Sequence, residues 1–171
     1  TVVAGGVRNY LNGNWSAFQG EVVVQAQKRG SYDPSFDWNN TYGLPYATLN
    51  VQSGYEFKNN GKDVAVKSLK TSAAGTISGS GKLILGENND AVINVANYIS
   101  CPVVYRGKEG QEMRITAANA GRISNTITVE SGALRFTGSS SNKTKCNGDK
   151  FVFVKNTGKV YGGNALFHAV Q

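Results

Sequence analysis

The stretch Val129-Glu-Ser-Gly132 is a near copy of Val51-Gln-Ser-Gly54, and each copy leads within a few residues to a phenylalanine. A looser third copy is Val154-Lys-Asn-Thr-Gly158. Outward from these stretches, β-branched apolar residues recur at intervals of 25 to 27 positions, at Val24, Val51, Ile77, Val103, Val129 and Val154. Such self-similarity indicates stacked structural units, each of which buries its apolar face against its neighbours.

A second apolar column lies two positions earlier and contains Val22, Leu49, Cys101, Ile127 and Val152. Gly75 interrupts this column. Stacked rungs place like residues above like, about 4.8 Å apart, whereas an antiparallel β-sandwich or jelly roll has no reason to repeat at one spacing. The pattern therefore predicts an all-β parallel β-helix, or solenoid, of about five to six rungs. The antiparallel sandwich or jelly roll is the alternative.

Composition agrees with a single β domain, 1–171. Glycine occurs 21 times and proline 3 times in 171 residues, which indicates many tight turns rather than a disordered linker. Charged residues make up 17% of the chain, below the usual ~25%, as suits a secreted β protein. Short β runs bounded by Gly, Asn or Ser fill the sequence, and residues 88–100 are the one stretch that also reads as a helix.

The net charge of +7 is compatible with attraction to an anionic surface, but a cation-rich solvated face is the favoured interpretation. The only adjacent basic pair is Lys28-Arg29, so no basic stripe is readable, and we do not expect nucleic acid as a partner. No apolar run approaches the ~20 residues of a membrane helix, so no membrane span is expected. The start at Thr1, without a signal peptide, fits a mature product or an excised segment of a longer surface protein.

The two cysteines, Cys101 and Cys146, lie 45 positions apart and neither belongs to a CxxC pair, so a zinc site is not predicted. A disulfide between them requires Cα atoms within about 7 Å. The alternative is one buried thiol and one loop thiol. The sequence leaves both arrangements open.

The long polar and aromatic segment 27–46 interrupts the repeat and is expected to project from the solenoid as an inserted loop. Aromatic faces beside carboxylates and amides are the usual chemistry of carbohydrate contact. The set is therefore a candidate for ligand contact, while packing onto the solenoid is the favoured role of any single ring. The residues concerned are Tyr32, Asp33, Phe36, Asp37, Trp38, Tyr42 and Tyr46.

The same loop holds the densest set of oxygen ligands, Asp33 and Asp37 with Asn39 and Asn40. Calcium is conceivable there, but the glycine and terminal glutamate of a calcium hand are missing, and turn capping is the favoured role. We therefore predict no cofactor and no metal site. No catalytic residue is predicted either, because the lone His168 has no nucleophile motif around it.

Several segments resemble autotransporter-associated β-helix repeats, which occur in bacterial secreted passenger domains and large surface proteins. The resemblance rests on Gly13-Asn-Trp-Ser-Ala-Phe-Gln-Gly20, Leu44-Pro-Tyr-Ala-Thr-Leu-Asn-Val-Gln-Ser-Gly54, Gly75-Thr-Ile-Ser-Gly-Ser-Gly-Lys-Leu-Ile-Leu-Gly86 and Val129-Glu-Ser-Gly-Ala-Leu-Arg-Phe136. It implies a right-handed parallel β-helix at a cell surface or in a secreted protein. Residues 96–122 depart from the pattern, with Glu109 where an apolar residue is expected.

These observations predict a non-enzymatic structural or adhesion scaffold, extracellular or at the surface of a bacterial cell. Loop 27–46 would contact a glycan or a cell-surface receptor. One alternative is a polysaccharide-active β-helix enzyme, a lyase or glycoside hydrolase, or its accessory domain. Another is a jelly-roll or pilin-like assembly subunit, which requires antiparallel strand pairing.

Overall fold

The computed structural model describes most of the chain. The described residues are 1–5, 9–10, 13–25, 35–38, 43–71, 74–116, 118–138, 144–145, 152–162 and 165–166.

The described residues form short β-strands and one 3-10 helix. In chain order the elements are β1 (Val2–Ala4), β2 (Asn9–Tyr10), β3 (Glu21–Val24), β4 (Ser35–Asp37), β5 (Leu44–Val51), β6 (Glu56–Lys58), β7 (Val64–Leu69), β8 (Thr76–Ser78), β9 (Leu83–Leu85), β10 (Ile93–Val95), β11 (Tyr98–Ile99), β12 (Val103–Arg106), β13 (Glu112–Thr116), the 3-10 helix (Ala120–Arg122), β14 (Ile127–Ser131), β15 (Ala133–Thr137), β16 (Thr144–Lys145), β17 (Val152–Val154), β18 (Lys159–Gly162) and β19 (Ala165–Leu166).

The strands stack into parallel sheets. Sheet 1 has the strand order β1-β3-β5-β7-β9-β12-β14-β17, sheet 2 the order β11-β8-β6-β4-β2, and sheet 3 the order β10-β13-β15-β18, while β16 and β19 form a separate pair. Strands β9, β10 and β11 lie in sheets 1, 3 and 2 in turn, and β12 then returns to sheet 1 beside β9. The predicted parallel β-solenoid is confirmed, with about five turns. The jelly-roll alternative is wrong because the pairs within these sheets are parallel rather than antiparallel.

The predicted register is correct at both ends of sheet 1. Val24 pairs with Val51, and Val129 pairs with Val154, as the columns require. In the middle the single period of about 26 is wrong, since Ile77 lies in sheet 2 rather than in sheet 1.

Turn length explains this error. The interval between paired residues varies from 19 positions, between Val64 and Leu83, to 27 positions, between Val22 and Leu49. Each turn has several inward-facing positions, so residues selected with an incorrect period can still be buried. Ile77, for instance, is fully buried although it belongs to another column.

Alternation along each strand builds the core. In β10 and β13 the apolar residues face inward and the polar residues between them face outward, as the two-residue period of a strand dictates. One continuous apolar cluster runs through the turns, and its largest fully buried side chains are Trp38, Tyr105, Phe57 and Phe136 among others. Segment 96–122 continues the solenoid through β11, β12 and β13, and Glu109 lies exposed on the turn before β13.

Asparagine side chains link neighbouring turns at the corners. Asn97 is buried, and its Nδ2 donates to the carbonyl of Gly75 at 3.1 Å. Asn119 likewise donates to the carbonyl of Val95 at 3.0 Å. Each bond joins a side chain of one turn to the backbone of a neighbouring turn.

Gly75, which interrupts the second apolar column of the sequence, is required there for a steric reason. A Cβ on Gly75 would lie 2.4 Å from the carbonyl oxygen of Gln52 in the turn before. The Gly75 amide donates to the Val51 carbonyl at 3.0 Å. Backbones of adjacent turns therefore meet at this corner too closely for any side chain.

Within the described residues, no helix is long and apolar enough to span a membrane.

Candidate functional site

The candidate site lies on the outer surface of sheet 3. The register of β13, β15 and β18 aligns Glu112, Ala133 and Lys159 in one row across the sheet. A second row, two residues further along each strand, consists of Arg114, Arg135 and Tyr161. Residues 21 to 26 positions apart in the chain thereby form one continuous polar surface.

A notch opens in this surface because its floor is built from small residues. Ala133 lies between the longer side chains of Glu112 and Lys159, and Gly132 and Gly158 add no bulk. The pocket has a volume of about 560 Å³, within the roughly 300–1,000 Å³ of small-molecule sites. Its walls are formed by Glu109, Glu112, Arg135, Asn156, Lys159 and Tyr161. We call this site the notch.

Close backbone approach fixes one side of the floor. A Cβ on Gly158 would lie 2.2 Å from the carbonyl oxygen of Val129. The Gly158 amide donates to the Lys155 carbonyl at 2.9 Å and closes the turn that precedes β18. The turn therefore holds Lys159 at a defined position on the rim of the notch.

Glu112 is held by two arginines. Its Oε1 accepts from Arg135 Nε at 2.8 Å and its Oε2 accepts from Arg114 Nε at 2.8 Å. Hydrogen bonds from Arg135 and then Arg114 hold the pKa of Glu112 below its ordinary value, and the bond to Glu112 raises the pKa of Arg135. The cluster is therefore ionised throughout the physiological range of pH.

Tyr161 provides an aromatic surface at the edge of the notch. Its side chain is 42% exposed, and the guanidinium of Arg135 lies 4.7 Å from the centroid of its ring. A cation over the face of an exposed aromatic ring contributes about 0.5–1 kcal/mol. The contact orients the ring without burying it.

Lys159 completes the charge distribution. Among the described residues it has no ion-pair partner, and it is exposed. Glu112 is engaged by Arg114 and Arg135, so its carboxylate is less available to a ligand than the ammonium of Lys159. The surface is suited to hydroxyl and carboxylate groups of a ligand.

A buried phenol lies beneath the notch. Tyr105 is fully buried, its ring lies close to Gly132, and its Oη has no hydrogen-bond partner among the described residues. Burial, and to a smaller degree the charge of Glu112, raises the pKa of Tyr105 to about 12. This hydroxyl stays protonated and contributes no charge to the notch.

The residues that the sequence singled out lie elsewhere. Trp38 is fully buried, and the centroid of its ring lies 5.9 Å from that of Phe57. It is therefore a core residue rather than a surface contact residue, in agreement with the packing role. Tyr46 lies in β5 and is 45% exposed. Phe36 and Asp37 lie in β4, and their side chains are not among those described.

The remaining predicted contact residues, Tyr32, Asp33 and Tyr42, lie outside the described residues, as does Cys146. Cys101 is a buried free thiol, and burial raises its pKa to about 11. Its pairing with Cys146 stays a prediction. Over the described ranges, no group of three or more His, Cys, Asp or Glu side chains could hold a metal ion.

Reasoning from the sequence missed the notch. The available signal was the pair Glu112-Met-Arg-Ile115 and Ala133-Leu-Arg-Phe136, in which an arginine stands between two apolar residues of a strand. That pattern places Arg114 and Arg135 outward. Their alignment, however, requires the true turn length, which is shorter here than the predicted period.

No family model matches the chain, and neither a curated protein nor a solved structure matches it. The resemblance to autotransporter-associated repeats therefore stays a prediction.

Proposed function

We propose that this protein is a non-enzymatic structural or adhesion scaffold, secreted or exposed at a bacterial cell surface, whose solenoid presents the notch to a glycan. The observation that carries the proposal is the exposed ring of Tyr161, oriented by Arg135 beside a pocket with a floor of small residues. An aromatic face packs against the C–H face of a sugar, and the surrounding donors bond its hydroxyls.

The scaffold supports such a role because it holds the site rigidly. The notch residues lie on β13 and β15, which pair on both sides, on β18, which pairs with β15, or on the turns that precede these strands. Their inward-facing neighbours Met113, Leu134 and Phe136 are buried. A ligand therefore meets a surface that is already arranged, which lowers the ordering cost of binding. Solenoids commonly use such extended lateral surfaces for binding.

The charge state of Glu112 favours binding over hydrolysis. A glycoside hydrolase needs one carboxylic acid that donates a proton to the leaving oxygen. Arg114 and Arg135 hold the pKa of Glu112 below its ordinary value, so this residue is a poor proton donor near neutral pH. Within the notch this leaves only Glu109, which lies on an exposed turn.

A binding experiment with matched variants tests the proposal. Wild-type protein, Tyr161→Ala and Tyr98→Ala are titrated with a panel of neutral and acidic oligosaccharides by isothermal titration calorimetry. Tyr98 is the matched control because it is also an exposed tyrosine, 49% accessible, with Arg122 lying 4.9 Å from its ring centroid, but it belongs to sheet 2.

We expect Tyr161→Ala to weaken binding at least about tenfold, since removal of a stacking ring forfeits one to a few kcal/mol. Tyr98→Ala should bind like the wild type. An equal loss in both variants would contradict the assignment to the notch. Absence of binding to the whole panel by the wild type would contradict the glycan function itself.

A further inference from the structure

The positive charges at the notch exceed the negative charge of Glu112 that they surround. The carboxylate of Glu112 accepts hydrogen bonds from the Nε atoms of both Arg114 and Arg135. Nη2 of Arg135 also lies 2.6 Å from Oε1 of Glu112. Among the described residues, no hydrogen bond joins the guanidinium of Arg114 or of Arg135 to an acceptor other than Glu112. The guanidinium forks therefore keep unengaged donors after Glu112 has been satisfied.

A further cation stands on the opposite side. Lys159 aligns with Glu112 across Ala133, so the two lie two strand spacings apart, roughly 10 Å. Arg135, on the strand between them, borders the same gap. A ligand that fills this gap meets the ammonium of Lys159, which has no ion-pair partner in the described part of the chain, and the guanidinium of Arg135 beside it.

The acidic groups of the notch are fewer and less available. Glu112 is only 15% exposed and is covered by its two arginines. Glu109 is the one other carboxylate in the wall of the notch, and it lies on the exposed turn before β13. The net charge of +7 attracts anionic ligands toward the whole molecule.

Resting on the glycan function proposed above, we propose that the notch selects acidic saccharides, whose carboxylate lies between Lys159 and the unengaged donors of Arg135. The sugar ring lies above Ala133 and packs against the edge of the notch at Tyr161. Guanidinium and ammonium groups bind carboxylates through charge-assisted hydrogen bonds, which are about twice as strong as neutral ones. An uncharged sugar of the same shape lacks this contact.

The test uses two probes that differ in charge. An oligogalacturonate and its methyl ester are titrated into the intact chain by calorimetry, at low and high salt. The variants are Lys159→Gln and Glu109→Gln, with Lys70→Gln as a control that removes the same charge from an exposed position on an earlier turn. Circular dichroism confirms that each variant is folded.

We expect the acid to bind at least about tenfold more tightly than the ester at low salt, and the difference to shrink at high salt. Lys159→Gln should remove most of the preference, Glu109→Gln should increase affinity for the acid, and Lys70→Gln should change little. This opposite response of two notch variants distinguishes local recognition from general attraction by net charge.

Equal binding of acid and ester would overturn the acidic selectivity and leave the glycan function standing. A preference for the acid that falls equally in Lys159→Gln and Lys70→Gln would also overturn it, because the attraction would then be nonspecific. Binding of neither probe, together with binding of a neutral saccharide that depends on Tyr161, would reject the acidic class alone. Binding of no saccharide would reject both proposals.

Discussion

The guanidinium of Arg135 lies 4.7 Å from the centroid of the Tyr161 ring, and the two residues occupy paired positions on adjacent strands of sheet 3. The same guanidinium donates to Glu112 on the opposite neighbouring strand. One side chain thus connects an exposed aromatic ring to an ionised carboxylate across three turns of the solenoid. Its position decides both the shape of the notch and the orientation of the ring.

Substitution of Glu112 should expose a pH-dependent contribution to stability. Glu112→Gln removes the carboxylate from Arg114 and Arg135, and we expect a loss of about 1 kcal/mol at neutral pH, since the arginines are partly exposed. Because folding lowers the pKa of Glu112, the contribution is fully present above the ordinary value of about 4.3.

As the pH falls below that value and through the lowered pKa of the folded state, Glu112 becomes protonated and its contribution is lost. The difference in urea midpoint between wild type and Glu112→Gln should therefore shrink toward zero in acid. A difference that stays constant over this range would show that the carboxylate charge plays no part.

Tyr105→Phe should not destabilise the fold. The hydroxyl is buried without a hydrogen-bond partner among the described residues, so its removal relieves a desolvation cost that is typically about 1–3 kcal/mol. We expect an unchanged or higher thermal midpoint by differential scanning calorimetry. A clear decrease would instead indicate that the hydroxyl is bonded to an internal water.

Gly75 should tolerate no side chain. A Cβ there would lie 2.4 Å from backbone oxygen of the preceding turn, so we expect Gly75→Ala to cost about 2–3 kcal/mol or more. Gly54→Ala is the matched control, since its φ of 83° is unfavourable for alanine but no atom lies within 4 Å of the added Cβ. The control should cost only about 1–2 kcal/mol. Chemical denaturation of both variants gives the comparison, and equal losses would be inconsistent with close contact at residue 75.

Val103→Asp tests the inward orientation of β12. Val103 is buried between Leu83 and Ile127 of neighbouring turns, so an aspartate there would be an unpaired buried charge, with a cost of about 3 kcal/mol or more. Val92→Asp is the control, because Val92 is 38% exposed and should accept the charge within about 0.5 kcal/mol. Unchanged melting of Val103→Asp would contradict the burial of this column.

The fold was predictable because its signal is local. Alternating apolar residues, frequent glycines and the copies around Val51 and Val129 each indicate short strands and tight turns, whatever the exact period. The register was less predictable, since the turn that joins Val64 to Leu83 is 19 residues and the one that joins Val22 to Leu49 is 27. The connections at the corners can differ in length while the buried strands keep their stacking.

The notch was not predictable for the same reason. Its row of Glu112, Ala133 and Lys159 exists only when turns of 21 and 26 residues are stacked correctly. The aromatic residues that cluster within segment 27–46 were candidates for ligand contact, yet Trp38 lies in the core. Local sequence shows which rings are close along the chain, whereas exposure depends on the stacking of distant strands.

Binding of a glycan at the notch is tested most directly by an amide chemical-shift titration of the ¹⁵N-labelled protein with an oligosaccharide that it binds. We expect the shifts to concentrate at residues of the notch, namely Glu112, Gly132, Ala133, Gly158, Lys159 and Tyr161. Shifts centred on Tyr46 or Tyr98, with the notch amides unmoved, would contradict it.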